Sequence, residues 1–424
     1  MLIALLKKYP YVIILGLLLF IISIVTIEPG TILSGWDTLH PEFNYWLNFK
    51  RLFFGVWRDE QGLGALAGHS HMADLPRLFI LVLLDLFLPT YLVRYVFIIA
   101  CLWIGVYGMY ACTQYLWSRR NHPHASLVSF LVATFYLLNL NTVQQFYVPF
   151  EMFPVQYAAL PWLIMLILQY FHHGSKKTLF WFSVVTLLAT PQAYAAHLWY
   201  AFFGVLCVFL ASHFLFHPTQ ATLKRSALIL VATIMMNSFW LIPNIYFIAT
   251  GSDTPRDSKQ NRLFSQEFLL RNREQGYLND VSLMKGFYFD WDVYDYESQS
   301  GVKLMQTWRD HTANPVVMIL GYGYAVLMVL GVFAVILKRD RLYLSLLPFL
   351  LIPIVLLLNH TQPFESFFNL LIKLPVFKEA FRFIFTKVSI LLLLGYSLYL
   401  GYAIAILIEE RRRIRIWGSL GFVL

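Results

Sequence analysis

Charge is what this chain has least of. Asp, Glu, Lys and Arg make up 13% of its 424 residues, where a soluble domain carries roughly a quarter. That excludes a water-soluble globule of this size, because too little polar surface remains to wrap it. Cysteine is scarce as well. Cys101, Cys112 and Cys207 all fall inside apolar runs and form no CxxC pair. This excludes a disulfide framework or a cysteine zinc site and leaves the redox compartment unmarked. No small-x-small cleavage site follows the first apolar run, whose exit reads Ile24-Val-Thr-Ile-Glu-Pro-Gly30. The run therefore reads as a retained span rather than a signal peptide.

What is present is apolar and aromatic. Hydrophobic residues account for 59% and aromatics for 17%, and the mean hydropathy is +0.62. A net charge of +9 would point to nucleic acid in a soluble protein. Here the bases fall in short clusters between apolar runs, so they read as topology determinants and nucleic acid is not expected as a partner. A helix needs roughly 20 mostly apolar residues to cross the hydrocarbon core. About ten such runs occur, near 11–27, 92–117, 125–139, 155–171, 178–194, 196–215, 226–249, 315–337, 342–358 and 385–408. An eleventh begins near Trp417 and is cut off at Leu424, as expected of one domain of a longer protein. The fold class is all-α, a polytopic transmembrane helical bundle of about ten or eleven spans.

The basic clusters set the orientation. With the N-terminus inside, alternate loops carry Lys7/Lys8, Arg119/Arg120, Lys176/Lys177, Lys224/Arg225, Lys338/Arg339/Arg341 and Arg411/Arg412/Arg413/Arg415. Those six short loops hold 15 Lys or Arg against only Asp340, Glu409 and Glu410, which is the positive-inside distribution. The expected placement is a multi-pass protein of the plasma (inner) membrane with a cytoplasmic N-terminus and an extracytoplasmic active face.

The long loops then lie outside, near 28–77, 250–314 and 359–384. Loops of this length are usually functional or disordered, and their wealth of Trp, Phe and Tyr argues against disorder. In the first, Phe43, Trp46, Leu47, Phe49, Phe53, Phe54 and Trp57 interleave with Lys50, Arg51 and Arg58, as in an amphipathic helix lying in the interface. Residues 78–89 are apolar, too short to span comfortably and interrupted by Asp85, so a second interfacial or re-entrant helix is expected. Asp37, flanked by Gly35 and Trp36, has two readings. It can take a proton from a hydroxyl as a general base, or cap the interfacial helix ahead of Pro41 and Glu42. Local chemistry tilts toward the cap.

The remaining polar residues divide in the same way. His40, Glu42, His69, His71 and Asp74 are spaced too irregularly for a metal site and read as polar interface residues. Asp290-Trp-Asp292 is a DxD triplet able to hold a cation on a diphosphate, or an acidic solvated loop, the commoner case. Arg382 and Lys387 stand at the outer mouth of the last full run, where each can meet a lipid phosphate or snorkel to ordinary headgroups. Arg94 joins them at the outer end of the second run. Glu151 and His197, in two short outer turns, can face the same cavity as Asp37. His122/His124 and His172/His173 read as solvated inner-turn residues.

Several of these segments together resemble the GT-C superfamily of membrane glycosyltransferases, and more narrowly the α-(1→3)-arabinofuranosyltransferase-type family. The elements that carry the resemblance are Trp36-Asp37, Trp57 with the glycines 62 to 68, and Asp74-Leu-Pro-Arg77. With them go Pro149-Phe-Glu-Met-Phe-Pro-Val-Gln-Tyr-Ala-Ala-Leu-Pro-Trp162 and Pro191-Gln-Ala-Tyr-Ala-Ala-His197. The resemblance implies a catalytic carboxylate on the first outer loop, at Asp37, which reverses the preference for the cap. It implies a polyprenyl-phosphate-linked sugar as donor, a glycan or glycolipid as acceptor, and membrane lipids as surroundings. A monophosphate leaving group needs cationic stabilisation, for which Arg382, Lys387 and Arg94 are placed. It requires no metal, and no cofactor is expected. The first loop offers only Asp37 and Glu42 rather than a paired acid motif, unlike metal-dependent members.

Two other classes compete. A transporter or lipid flippase would carry internal repeats or polar breaks near the midplane. No convincing repeat is visible, and only Asp85 and Arg94 place charge within apolar runs, both near the outer edge. A non-catalytic scaffold of envelope assembly is the third reading.

Overall fold

The computed structural model describes residues 9–35, 40–54, 57–58, 65–66 and 70–421. The chain is almost entirely helical. α1 (Pro10–Thr26) leads to a 3-10 turn (Pro41–Phe43), then α2 (Tyr45–Phe53) and a two-residue hairpin, β1 (Trp57–Arg58) with β2 (Ala65–Leu66). A second 3-10 turn (Ser70–Asp74) enters α3 (Leu75–Asp85). There follow α4 (Thr90–Ser118), α5 (Ala125–Leu137), α6 (Leu140–Tyr147), α7 (Met152–His173) and α8 (Lys176–Leu188). A third 3-10 turn (Thr190–Tyr194) precedes α9 (Ala196–Phe216) and α10 (Gln220–Thr250).

The second long loop folds as α11 (Asp253–Asp257), α12 (Lys259–Glu274), α13 (Leu278–Leu283), the antiparallel hairpin β3 (Asp292–Asp295) and β4 (Ser300–Lys303), and α14 (Gln306–Ala313). The chain continues through α15 (Pro315–Leu337), α16 (Arg341–Leu346), α17 (Pro348–Leu357), α18 (Phe364–Leu371) and α19 (Pro375–Ala380) to α20 (Ile384–Gly421).

Among the described residues six helices are long and apolar enough to cross a membrane: α4, α7, α9, α10, α15 and the Ile384–Glu410 part of α20. The α5–α6 pair makes a seventh if its 46° bend is taken within one span. The fold is thus an all-α bundle of multi-pass membrane type, with fewer full-length spans than the ten or eleven expected. The shortfall has local causes that average hydropathy does not register. The run at 178–194 ends as helix at Leu188, ahead of the turn holding Pro191. The run at 342–358 is divided at Leu347 just before Pro348 and carries Pro353 inside α17; proline removes a backbone donor and clashes with the preceding turn. The first run gives a helix of 17 residues, about 25 Å at 1.5 Å per residue. The run from Trp417 is no separate span: residues 417–421 continue α20.

α20 is the central post, packed against α15, α17 and α5, with Leu391, Leu393, Tyr399 and Leu400 wholly buried. Close approach of backbones depends on two glycines. A Cβ on Gly331 would fall inside the Tyr399 carbonyl oxygen, and one on Gly395 would lie 2.6 Å from that of Phe349. Small residues drive helix association in lipid because dispersion replaces the hydrophobic effect there. Gly331→Ala is therefore expected to destabilise the bundle by about 1–3 kcal/mol, the usual cost of overpacking, visible as a lower melting temperature in detergent. An unchanged melting temperature would show that α15 is not locked onto α20 at this point.

At the other end of α4, Arg120 does more than mark topology. Its Nη1 lies 2.6 Å from Asp340 Oδ2, and its guanidinium sits over the rings of Trp117, Tyr343 and Tyr402 at 5.2, 4.8 and 5.7 Å. This cation–π cage ties α4 to α16 and α20. His122, expected in a solvated turn, is partly buried there, its Nε2 3.2 Å from the Ala405 carbonyl.

Candidate functional site

The first long loop is built on a buried charge cluster. Asn44 caps α2, its Oδ1 accepting the Leu47 amide at 2.9 Å. The cap role considered for Asp37 is therefore filled by another residue. Asp37 itself lies outside the described residues, but both flanks of its segment are placed: Ser34 Oγ meets His40 Nε2 at 3.1 Å. His40 Nδ1 is 2.9 Å from Glu42 Oε1, and Arg94 Nη1 lies 3.1 Å from His40 Nε2 and 4.0 Å from Glu42.

The cluster continues inward. Arg94 is ion-paired with Glu151 at the start of α7, and Arg77 Nη1 lies 3.2 Å from the same carboxylate. Arg77 also grips Asp74 through two bonds, Nε to Oδ1 at 2.7 Å and Nη2 to Oδ2 at 2.5 Å. This forked geometry is the strong form of a guanidinium–carboxylate contact. Burial opposes the charge on Arg77, yet Asp74 outweighs it and holds the guanidinium pKa above its ordinary value. All five charged members are buried, and a buried charge persists only when paired and hydrogen-bonded. Arg94 is thus committed to carboxylates rather than presented outward as a free phosphate ligand.

Arg382 and Lys387 occupy a second region. α12 clamps the segment that leads into α20: Asn272 Nδ2 donates to the Phe381 carbonyl at 2.7 Å, and its Oδ1 accepts the Ile384 amide at 3.2 Å. Arg382 Nη1 donates to Asn261 Oδ1 at 2.9 Å and lies 3.6 Å from Glu379. Its guanidinium stands 5.5 Å over Phe264, and the Lys387 ammonium 5.6 Å over Phe383. Both are partly exposed. His197, at the start of α9, lies within range of both charges.

The turn Thr190–Tyr194 links the two regions. Thr190 Oγ1 donates to the Ala73 carbonyl at 2.8 Å. The Tyr194 ring stacks on His71 at 4.1 Å with 2° between planes, and its hydroxyl lies within range of Arg77. His197 follows three residues later. Beneath the charge cluster an apolar cavity of about 310 Å³ runs between α3, α4, α7 and α8, lined by Phe97, Ile104, Val155, Trp162 and Leu188, with Arg77 at its polar end.

Other expected features resolve differently. Asp290 is ion-paired with Arg309 and lies 3.7 Å from Lys285, while Asp292 Oδ1 is 2.7 Å from Lys303 Nζ. Burial raises the Asp290 pKa, but the bond from Gln275, the charge of Lys285 and the contact with Arg309 outweigh it and hold the carboxyl low. The DxD triplet is thereby occupied in ordering the β3–β4 hairpin. His71 and Asp74 are engaged by Tyr194 and Arg77, and His69 lies outside the described residues. Among the described residues no group of three or more His, Cys, Asp or Glu is arranged to hold a metal ion.

Sequence reasoning noted Arg77 only as the end of Asp74-Leu-Pro-Arg77 and gave it no role; in the structure it ties Asp74 to Glu151. Nor did sequence reasoning single out the amides of α6. Gln144 Nε2 donates to the Met284 carbonyl at 2.9 Å and its Oε1 accepts the Gly286 amide at 2.8 Å. Asn141 Nδ2 donates to the Ser389 carbonyl at 2.8 Å. These bonds fasten the second long loop and the head of α20 to the bend between α5 and α6. The available signal was Asn139-Leu-Asn-Thr-Val-Gln-Gln145, a density of amides unusual beside an apolar run. No protein-family model, curated protein or solved structure matches the chain.

Proposed function

We propose that the chain is a GT-C-type glycosyltransferase that moves a sugar from a polyprenyl-phosphate donor to an envelope glycan or lipid-linked acceptor. The site faces the outer side of the plasma (inner) membrane, with the N-terminus cytoplasmic, as the basic loops favour. The observation that carries this reading is the pairing of two regions through one turn. Arg382 and Lys387 supply positive charge where a lipid phosphate would sit, with His197 lining the same region, and the flanks of the Asp37 segment are held on the acidic side through Ser34, His40 and Glu42. In the transfer, Asp37 takes the proton of the acceptor hydroxyl as its oxygen attacks the anomeric carbon, and the bond from that carbon to the phosphate oxygen breaks. Arg382 and Lys387 stabilise the charge that grows on the phosphate. The apolar cavity ending at Arg77 offers space for hydrocarbon near the same face.

The test is transfer by the purified protein in nanodiscs, using polyprenyl-phosphate-linked pentoses and hexoses as donors. Arg382→Gln and Lys387→Gln are each expected to weaken donor use about 10–100-fold, since a charge-assisted hydrogen bond contributes about 1.5–3 kcal/mol. Binding of none of these donors by the wild type would end the reading.

The 46° bend between α5 and α6, lined by buried amides, favours a second reading as a flippase or transporter, because broken helices mark transport sites. Movement of a lipid-linked sugar across sealed vesicles without any glycosyl transfer would select it.

A further inference from the structure

The geometry points to a phospholipid site between α4 and α7, at the end of the bundle that carries the basic loops, selective for an anionic diacyl lipid of the phosphatidylglycerol class. It lies at the opposite ends of these two helices from the buried charge cluster and does not depend on the glycosyl-transfer reading.

An open groove of about 600 Å³ runs between the last turns of the two helices. Its walls follow from helical spacing, since residues i and i+4 share a face. Tyr110, Gln114 and Ser118 form one wall with Arg119 at its end, and Met165 and Gln169 form the other. One turn deeper the helices touch, where Gly105 and Gly108 leave room for the Tyr157 and Trp162 rings.

The groove presents charge at its rim. Arg120 turns inward to Asp340, but its neighbour Arg119 is exposed, its guanidinium 5.8 Å over the Tyr115 ring. Among the described residues no carboxylate lies within ion-pair distance of Arg119. His172, at the end of α7, lies within range of Arg119, His173 and Arg225, all basic side chains. Arg225 is held there by its bond to the Phe171 carbonyl. Basic pockets between spanning helices hold anionic headgroups, and a guanidinium takes phosphate oxygens in a fork.

Below the rim come amides, then apolar side chains. Gln114 and Gln169 sit about 6 Å inside the ends of their helices at 1.5 Å per residue. That is the thickness of the polar band over the hydrocarbon, about 5–8 Å on each side, where a glycerophospholipid carries its ester carbonyls. Gln114 Nε2 donates to Ser118 Oγ at 2.9 Å, while its Oε1 has no partner among the described residues. The Gln169 side chain makes no hydrogen bond among them either. An amide without a partner is costly beside hydrocarbon, and an ester carbonyl accepts what the Gln169 amide donates. Tyr110 and Met165 line the deep end, where acyl chains would run. A free phosphodiester would use the rim alone, and a zwitterionic lipid would bring a second cation toward Arg119. The whole groove therefore selects a diacyl lipid with a net negative headgroup.

The experiment is native mass spectrometry of the full chain released from nanodiscs of mixed phosphatidylcholine and phosphatidylglycerol with the same acyl chains. Wild type, Arg119→Gln and Gln169→Leu are compared, with melting temperature as a check on folding. Wild type is expected to retain phosphatidylglycerol about 10–100-fold in preference to phosphatidylcholine, the scale of one charge-assisted hydrogen bond. Arg119→Gln is expected to lose most of that preference, and Gln169→Leu to weaken retention of both lipids while keeping it. Equal retention of the two lipids by wild type overturns the proposal, as does a folded Arg119→Gln protein with the wild-type preference. Should that variant fail to fold, competition on wild type decides. Soluble glycerophosphoglycerol, the same headgroup without chains, is expected to leave bound phosphatidylglycerol in place; displacement at equal concentration would make the groove a simple anion site and overturn the lipid assignment.

Discussion

Asp37→Asn is expected to lower glycosyl transfer about 10²–10⁴-fold, the range for losing a positioned acid–base group, while the donor still binds. The amide keeps the size and much of the hydrogen bonding of the carboxylate but cannot take up a proton. Donor affinity should hold because its phosphate is assigned to Arg382 and Lys387 in the other region. A decrease in turnover with an unchanged donor Kd is therefore the expected signature. Equal turnover in wild type and variant would remove Asp37 from the mechanism. A parallel loss of turnover and donor binding would move Asp37 from proton transfer to donor positioning. The alternative structural role, capping α2, is already filled by Asn44, so a fall in stability is not the expected result.

Much of the architecture was legible in the sequence because lipid leaves a polypeptide few choices. Backbone groups in hydrocarbon must be satisfied within a helix or a closed barrel, so long apolar runs such as 92–117 and 226–249 map onto α4 and α10 with shifted ends. What hydropathy could not convey was where helices break. Pro191, Pro348 and Pro353 interrupt runs that average as apolar, and the Asn139–Gln145 amides bend α5 into α6. These are local backbone effects invisible to a window of composition.

The charge cluster was legible by halves. Arg94 attracted notice because a charge within an apolar run is costly unless paired, and Glu42 and Glu151 as acids in the first loop and in a short turn. Their partners could not be named, since Arg94 and Glu151 lie on different helices more than fifty residues apart. Asp74 and Arg77 form an i,i+3 pair that reads in sequence as an ordinary helix entry. Only the fold shows that Arg77 also reaches Glu151 and so joins the first loop to α7. The cationic region shows the same limit: Arg382 was visible at a span mouth, but Asn261 and Asn272 of α12, which hold its segment, come from a loop more than one hundred residues earlier.

That buried network leads to the largest expected effect on stability. Removing one partner of a buried ion pair costs about 3–5 kcal/mol, because the other charge is left uncompensated. The two partners are not equivalent here. Arg94→Gln leaves Arg77 alone against Asp74, Glu42 and Glu151, a deficit of two charges, and is expected to reach the upper end of that range and to reduce folded yield. Glu151→Gln leaves two guanidinium groups facing two carboxylates and is expected to cost distinctly less. The double variant Arg94→Gln/Glu151→Gln restores the original excess of one carboxylate, so it is expected to recover part of the loss seen in Arg94→Gln alone. Neighbouring charges give such non-additive cycles. Melting temperatures of the three variants in one detergent measure the cycle directly. Equal losses in the two single variants that simply add in the double would show that Arg94 and Glu151 are not coupled. In that case the first loop would depend for its position on packing against α3 and α4, not on charge.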